Sequence, residues 1–495
     1  MKNTFLKIYP LLIAITLGIL SAGFMNISVK AKIIIISLII IIIPMVIIKK
    51  FKRSINPTEP LFLFYVFFTA YNGLFLLQIG LELTNGEIEV FGYPIQFNGE
   101  IYLKTTILTL ISIMIIAIAY IVFLKSEGNQ CIQKANKFME INYGALYLAG
   151  IITFIIGLGL FFIDFERIGG FFYALTLDRE VRLGLMEEVR GRLPAKPLIL
   201  AGIASMAVAA FQRKNSRNWI FILFILIWTT LNFIQGDRRS ILYMMLVIFA
   251  AYYLFSEKRI KIRFIHIVGT LVVYILFSLF AQIRWIIIDL LNNNITWDFA
   301  MEWINMNFSI DWILPGKNEF RGPFFTLLAT ISIPLDEIIY GKSYIQAITN
   351  LFPRSLVPNK SDKISDEFSQ MIHQNYFDFK AGVKGWGYNP ITEGINNFGP
   401  YFFFINLLVI ILLLYVIYKI RFRGVPGLLI YLITIPQTIN FNRIDFSSAF
   451  KEIVYGGLAV IFCFAMYKLL SYFGSVKKYE KRCSDNTDIQ PVRKN

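Results

Sequence analysis

Runs of apolar residues, each about as long as the roughly 20 residues a bilayer-crossing helix needs, recur along the whole chain and leave little choice of fold. They cover Phe5–Met25, Ile33–Ile48, Pro60–Gly80, Leu103–Leu124, Ala145–Ile163 and Pro197–Phe211. The series continues with Trp219–Phe233, Ile241–Phe255, Phe264–Ile288, Tyr401–Tyr418, Val425–Ile439 and Ile453–Phe473. The runs at Pro197 and Val425 are short or broken by Pro and Gly. The pattern predicts an all-α polytopic membrane protein of about twelve transmembrane helices. Composition agrees: 56% of residues are hydrophobic and 16% charged, against about a quarter charged in soluble domains. Lys2, Lys7 and Ser21-Ala22-Gly23 around the first run also fit a secretory leader. The further span that follows at once favours an uncleaved first helix.

Charge sets the expected orientation. One alternating set of loops holds Lys49 to Arg53, Lys125 to Lys137, Arg213 to Arg217, Lys258 to Arg263, Lys419 to Arg423 and the tail from Lys477. With Lys2 and Lys7 that side carries a net +18, the other a net −3, and Lys468 lies within the last span. The positive-inside rule makes the positive side cytoplasmic, with both termini expected inside. The basic balance then reports topology and contact with anionic lipid, and no nucleic-acid partner is expected.

This topology divides the chain. Residues 1–288 hold the first nine spans and an outer loop at 164–196. Residues 289–397 form one long outer loop, 398–473 the last three spans, and 474–495 a polar cytoplasmic tail expected to be disordered. Loops of that length are usually functional, and this one carries Trp297, Trp303, Trp312 and Trp386, four of the seven tryptophans. Its apolar stretch Pro323–Leu335 is too short to span and suggests an interfacial or re-entrant helix. Asn389-Pro390 reads as an N-cap followed by proline at the first helical position, which puts Glu393 in the first turn. Gly399-Pro400 marks the break before the next span.

Arginine supplies the outer chemistry. Eleven of the twenty arginines fall on the expected outer side, where the positive-inside rule disfavours them. Arg238 and Arg239 sit in a very short turn at the depth of lipid headgroups, and guanidinium groups hold phosphate oxygens bidentately. Two roles suit them: gripping a lipid diphosphate, or snorkelling to headgroups and pairing with Asp237. Arg284, Arg354 and Arg443 recur near other outer helix ends. Glu393, with Asn396 and Asn397 three and four residues on, suits a general base for an acceptor hydroxyl; it equally suits a first-turn acid favoured by the helix dipole. His373 is the rival base. Asp164-Phe165-Glu166 resembles a divalent-ion pair but reads as solvated loop charge. Two histidines and three scattered cysteines give no Cys/His metal cluster, and no metal or cofactor is expected. No P-loop and no G-x-S-x-G motif is present.

Gln235-Gly236-Asp237-Arg238-Arg239-Ser240, leading into a span, resembles the Gly-x-Arg turn of O-antigen polymerases. Asn389-Pro-Ile-Thr-Glu393-Gly-Ile-Asn396-Asn397-Phe-Gly399 is similar to their Glu…Asn-Phe-Gly motif after the long outer loop. Leu351-Phe-Pro-Arg354 to Pro358 and Asn442-Arg443-Ile-Asp445 also fit. Some members carry an arginine followed eleven positions later by glycine in two outer loops, a spacing that no outward arginine here shows. The resemblance implies a Wzy-type polymerase with a fold like the membrane (GT-C-like) glycosyltransferases. Such enzymes join undecaprenyl-diphosphate-linked oligosaccharide repeat units into O-antigen or a related surface polysaccharide at the outer face of the inner membrane. On this resemblance Glu393, Arg238 and Arg239 are the expected catalytic residues. Arg284, Arg354, His373, Asn396, Asn397 and Arg443 are the expected substrate-binding ones. Expected partners are the lipid-linked oligosaccharide, membrane lipid and a polysaccharide chain-length regulator. A flippase or transporter of lipid-linked oligosaccharide, or an O-antigen ligase, is the alternative. The spans are nearly free of ionisable residues, which favours surface chemistry over translocation.

Overall fold

The computed structural model describes residues 28–50, 58–81, 87–90, 93–96, 98–125, 141–177, 185, 194–212, 218–235, 237–255, 275, 279, 283, 286, 289–290, 294–308, 321–333, 338–352, 356–357, 363–376 and 387–486. The expected span Phe5–Met25, most of Phe264–Ile288, and Arg284 and Arg354 lie outside these residues, as do the side chains of Arg238 and His373.

In chain order the first helices are α1 (Val29–Lys50), α2 (Pro60–Gly80), α3 (Gly99–Lys125), α4 (Tyr143–Glu166), α5 (Phe171–Thr176), α6 (Ala195–Gln212), α7 (Asn218–Ile234) and α8 (Arg238–Phe255). There follow α9 (Trp297–Asn307), α10 (Arg321–Ser332), α11 (Lys342–Thr349), α12 (Ile364–Tyr376) and α13 (Pro390–Phe398). The last are α14 (Phe404–Ile420), α15 (Gly424–Thr434), α16 (Gln437–Asn440) and α17 (Phe446–Asn486). Among the described residues, five segments are long and apolar enough to cross a membrane: α2, α4, α6, Gly99–Val122 of α3 and Phe446–Phe473 of α17. Shorter apolar helices lie at Trp219–Phe233, Arg239–Phe255, Phe404–Ile420 and Gly424–Thr434. Large apolar side chains such as Leu148, Ile155, Leu226, Leu458 and Leu469 stand exposed along these helices. That surface suits hydrocarbon and would be costly in water. The chain is a polytopic, predominantly helical membrane protein.

The helical fold carries one short addition, and the tail differs from expectation. Glu87–Val90 (β1) and Tyr93–Gln96 (β2) pair as an antiparallel hairpin, with Val90 opposite Tyr93 and Glu87 opposite Gln96. Glu-Ile-Glu-Val alternates with the period of two that a strand requires, a signal lost when only apolar runs are sought. The tail after Lys477 also continues α17 to Asn486. Lys477-Lys478-Tyr479-Glu480-Lys481-Arg482 contains no Gly or Pro, so nothing in it stops a helix already nucleated by the span.

The chain forms two compact units. The first comprises residues 1–129, 261–418 and 436–452. In it α1 packs on α2 and α3. Gly73, in the π-helical turn Ala70–Leu74 of α2, lies so close to α1 that a Cβ there would stand 2.7 Å from Ile40 Cγ2. Helix α10 packs on α3, α13 and the π-helical turn, where the Phe75 and Phe324 rings lie 4.7 Å apart. Phe324, Phe325, Leu327 and Leu328 are fully buried, so this short apolar helix belongs to the interior of the unit rather than lying on a surface.

The second unit comprises residues 130–260, 419–435 and 453–495. Its centre is the pair α4 and α6. A Cβ on Gly150 would lie 2.8 Å from the Gly202 carbonyl oxygen, and one on Gly202 would lie 2.7 Å from that of Gly150. Small residues at such a crossing let backbones touch, the main source of attraction between helices in lipid. Ser205 adds an interhelical hydrogen bond by donating to the Leu146 carbonyl at 2.8 Å. Around this pair Trp228 packs edge-on against Phe161, and α8 and α15 flank α6.

Candidate functional site

Helix α13 positions the acid singled out in the sequence. Asn389 caps it, its side-chain oxygen accepting from the Ile391 amide at 2.9 Å, and Pro390 opens the first turn. The cap is itself held in place, because the Asn389 amide nitrogen donates to Asn72 Oδ1 at 2.7 Å. Asn72 in turn donates to the Phe68 carbonyl. At the other end Gly399 takes φ +79°, a conformation open chiefly to glycine, and the helix stops. A side chain at Gly394 would run into the Phe403 carbonyl, so only glycine allows the chain to fold back this closely.

Glu393 points inward and is 1% exposed. Both of its carboxylate oxygens accept from the Phe446 amide, at 3.1 and 3.0 Å. Phe446 is the first residue of α17, so the acid occupies the positive end of a long helix. Burial first, and the negative charge of Asp445 second, push the Glu393 carboxyl up to about 8; the Phe446 amide and the Ser343 and Asn406 side chains pull the other way. Burial, with Glu393 adding its charge, also raises the phenols of Tyr344 and Tyr388 above their ordinary value.

The two asparagines diverge. Asn397 donates to Ser343 Oγ at 2.8 Å and to the Glu393 carbonyl at 2.9 Å, so its side chain braces α13 against α11. Asn396 donates to the Tyr388 hydroxyl at 2.7 Å, while its Oδ1 is buried without a hydrogen-bond partner. A buried acceptor left open in this way is costly unless a donor arrives. Arg443 is half-buried and adjoins the same cluster through its backbone, its carbonyl accepting from the Tyr388 amide at 2.8 Å. His373 lies on α12, with its side chain outside the described residues.

The basic turn belongs to the second unit. Asp237 caps α8 by accepting from the Ser240 amide and hydroxyl, and it forms an ion pair with Lys196. Burial alone would push Asp237 up, but the Lys196 ammonium, the Arg239 charge and the Ser240 hydroxyl outweigh it and hold the carboxyl well below the usual carboxylate range. The acid foreseen as a partner for the arginines therefore has Lys196 as its direct ion-pair partner. Arg239 is half-buried at the start of α8. The Asp164-Phe165-Glu166 triplet, expected in a loop, forms the last turn of α4, where Asp164 faces the C-cap residue Arg167 at 3.5 Å.

The family model for O-antigen polysaccharide polymerase Wzy matches residues 7–286. The chain belongs to this family. No curated protein and no solved structure matches the chain. Wzy membership brings a polysaccharide-polymerase activity of glycosyltransferase type and a lipid-linked oligosaccharide substrate in the membrane. The matched stretch includes Arg238 and Arg239 and ends before α13, so the Glu393 cluster lies beyond it.

Sequence reading passed over Ser343, Tyr344, Tyr388 and Asn406 around Glu393, and Asn72 at the cap of its helix; it met Asp445 only as part of Asn442-Arg443-Ile-Asp445. It also passed over Lys196. A signal existed for two of them, since Asn72 and Asn406 interrupt apolar runs where a polar side chain must find a buried partner. Asn406 does so twice, donating to the Pro390 carbonyl at 2.8 Å and accepting from the Tyr344 hydroxyl at 2.7 Å.

Proposed function

We propose that this Wzy-family chain joins undecaprenyl-diphosphate-linked oligosaccharide repeat units into O-antigen or a related surface polysaccharide, at the outer face of the bacterial inner membrane. The family match over residues 7–286 carries the reading. The acceptor sugar's hydroxyl oxygen attacks the anomeric carbon of the donor. The bond from that carbon to the diphosphate oxygen breaks, and undecaprenyl diphosphate leaves with the electron pair. Glu393 takes the hydroxyl proton, for which a carboxyl raised to about 8 is a suitably strong base near neutral pH. Arg238 and Arg239 neutralise the departing diphosphate. Asn396 Oδ1, the open buried acceptor, receives a sugar hydroxyl.

A second reading has its own observation. Glu393 is almost wholly buried and both oxygens are occupied by Phe446, as expected of an acid that ties α13 to the start of α17. Glu393→Gln separates the two, since it preserves size and hydrogen bonding but accepts no proton. On the base reading, cells keep normal protein levels and display single, unpolymerised repeat units, while His373→Ala cells still make long chains. Long chains from Glu393→Gln would leave only the structural tie. Loss of the single units as well would point to the flippase or ligase alternative, because each acts before a unit can appear on the surface lipid.

A further inference from the structure

Two carboxylates meet the start of one helix. The first amide of α17, on Phe446, donates to Glu393, and the third, on Ser448, donates to Asp445 at 2.8 Å. Asp445 also accepts from the hydroxyls of Ser365 at 2.8 Å, Ser448 at 3.0 Å and Ser447. Ser447 is further held by the Asn350 amide at 3.0 Å. An ionised carboxylate only accepts, so four converging donors suit a fixed negative charge at this position. Asp445 itself is 1% exposed. Among the described residues, the titratable groups facing Glu393 are Asp445 and the phenols of Tyr344 and Tyr388, beside the polar Ser343 and Asn406. Lys342, next to Ser343 on α11, is engaged with Glu367 at 3.0 Å.

We propose that Asp445, without touching substrate, is a positioning residue that sets the basicity of Glu393, by holding a fixed negative charge at the helix start that both acids cap. A negative charge at the same helix start disfavours ionisation of its neighbour. Glu393 therefore grips a proton more firmly than it would beside a neutral residue. This rests on Glu393 being the base that receives the acceptor's proton. The burial-driven rise at Glu393, to which Asp445 is the second contributor, supports the arrangement.

The test uses the full-length protein in lipid nanodiscs, titrated by infrared difference spectroscopy. The C=O stretch of the protonated carboxyl that Glu393→Gln removes identifies the band. In Asp445→Asn, which keeps a good N-cap, the midpoint of that band moves to lower pH by about one unit. The acid limb of the polymerisation pH profile moves with it, and Asp445→Glu brings both back. If Asp445→Asn does not accumulate, Ser365→Ala removes one donor from Asp445 and moves the midpoint the same way. A midpoint that stays in place in the variant that accumulates overturns the proposal. A midpoint that moves while Glu393→Gln still makes polymer overturns instead the base reading beneath it.

Discussion

The backbone amide of Phe446 donates to both carboxylate oxygens of Glu393, across a sequence separation of 53 residues. One side chain thereby links a short helix after the long loop to the first turn of the last helix. The same acid is the proposed proton acceptor, so one side chain joins a packing contact of this unit to the proposed chemistry.

Stability should depend on pH through Glu393. Burial pushes its carboxyl from an ordinary 4.5 up to about 8, so the folded state binds the proton more tightly than the unfolded chain. The stabilising contribution is then complete below 4.5 and is lost as pH rises toward about 8, above which the curve flattens. Thermal unfolding of the purified protein between those limits should show this fall. Glu393→Gln should flatten it, and an equal slope in the variant would assign the effect to another group.

Helix crossing in the second unit depends on absent side chains. In Gly202→Val or Gly150→Val the added carbons meet backbone within 3 Å across the α4–α6 contact, and the helices must separate. Overpacking of this kind costs about 1–3 kcal/mol, or more where backbone rather than a flexible side chain is struck. Gly159, whose Cβ would meet nothing within 4 Å, is the matched control on the same helix. Equal melting temperatures for Gly150→Val and Gly159→Val, both on α4, would refute the contact.

Much of this architecture was legible in sequence because lipid imposes a simple rule: a spanning segment must satisfy its own backbone, so it is long, apolar and helical. Pro60–Gly80 is a helix over the same residues in sequence and structure, and the cap at Asn389, the proline at the first position and the stop at Gly399 all follow local chemistry. What was missed is non-local. Asn72 and Asn389 are 317 residues apart, and nothing in either neighbourhood announces the other. Asp445 stood in a recognised motif, yet its pairing with Ser365 and its place beside Glu393 exist only once the chain has folded. The β1–β2 hairpin was lost for a different reason: its alternation is short and lies within a polar loop.

The orientation expected from charge has a direct check. A reporter fused near Lys261 should be cytoplasmic, and one near Asn359 outside, given a net +18 on one set of loops and −3 on the other. Both reporters on the same side would reverse or abolish the proposed placement of the chemistry.

The turn before α8 gives the sharpest test of phosphate recognition, because its acid is already engaged. Asp237 spends its oxygens on Lys196 and on the Ser240 amide and hydroxyl, and Arg239 acts on it through charge without appearing among its hydrogen-bond donors. A guanidinium placed this way retains its two-pronged face for a diphosphate, whereas lysine offers a point charge on a flexible stem. Arg239→Lys, and likewise Arg238→Lys, should therefore leave membrane levels unchanged while slowing polymerisation. Loss of one charged hydrogen bond to the leaving group corresponds to about 2–4 kcal/mol, or ~30- to 1000-fold in rate. Asp237→Asn, which keeps the helix cap but releases Lys196, should cost far less, since neither cation to the diphosphate is removed. Polymer of normal length and amount from a double Arg238→Ala, Arg239→Ala variant would leave these arginines only a headgroup contact, and would move leaving-group stabilisation to another part of the chain.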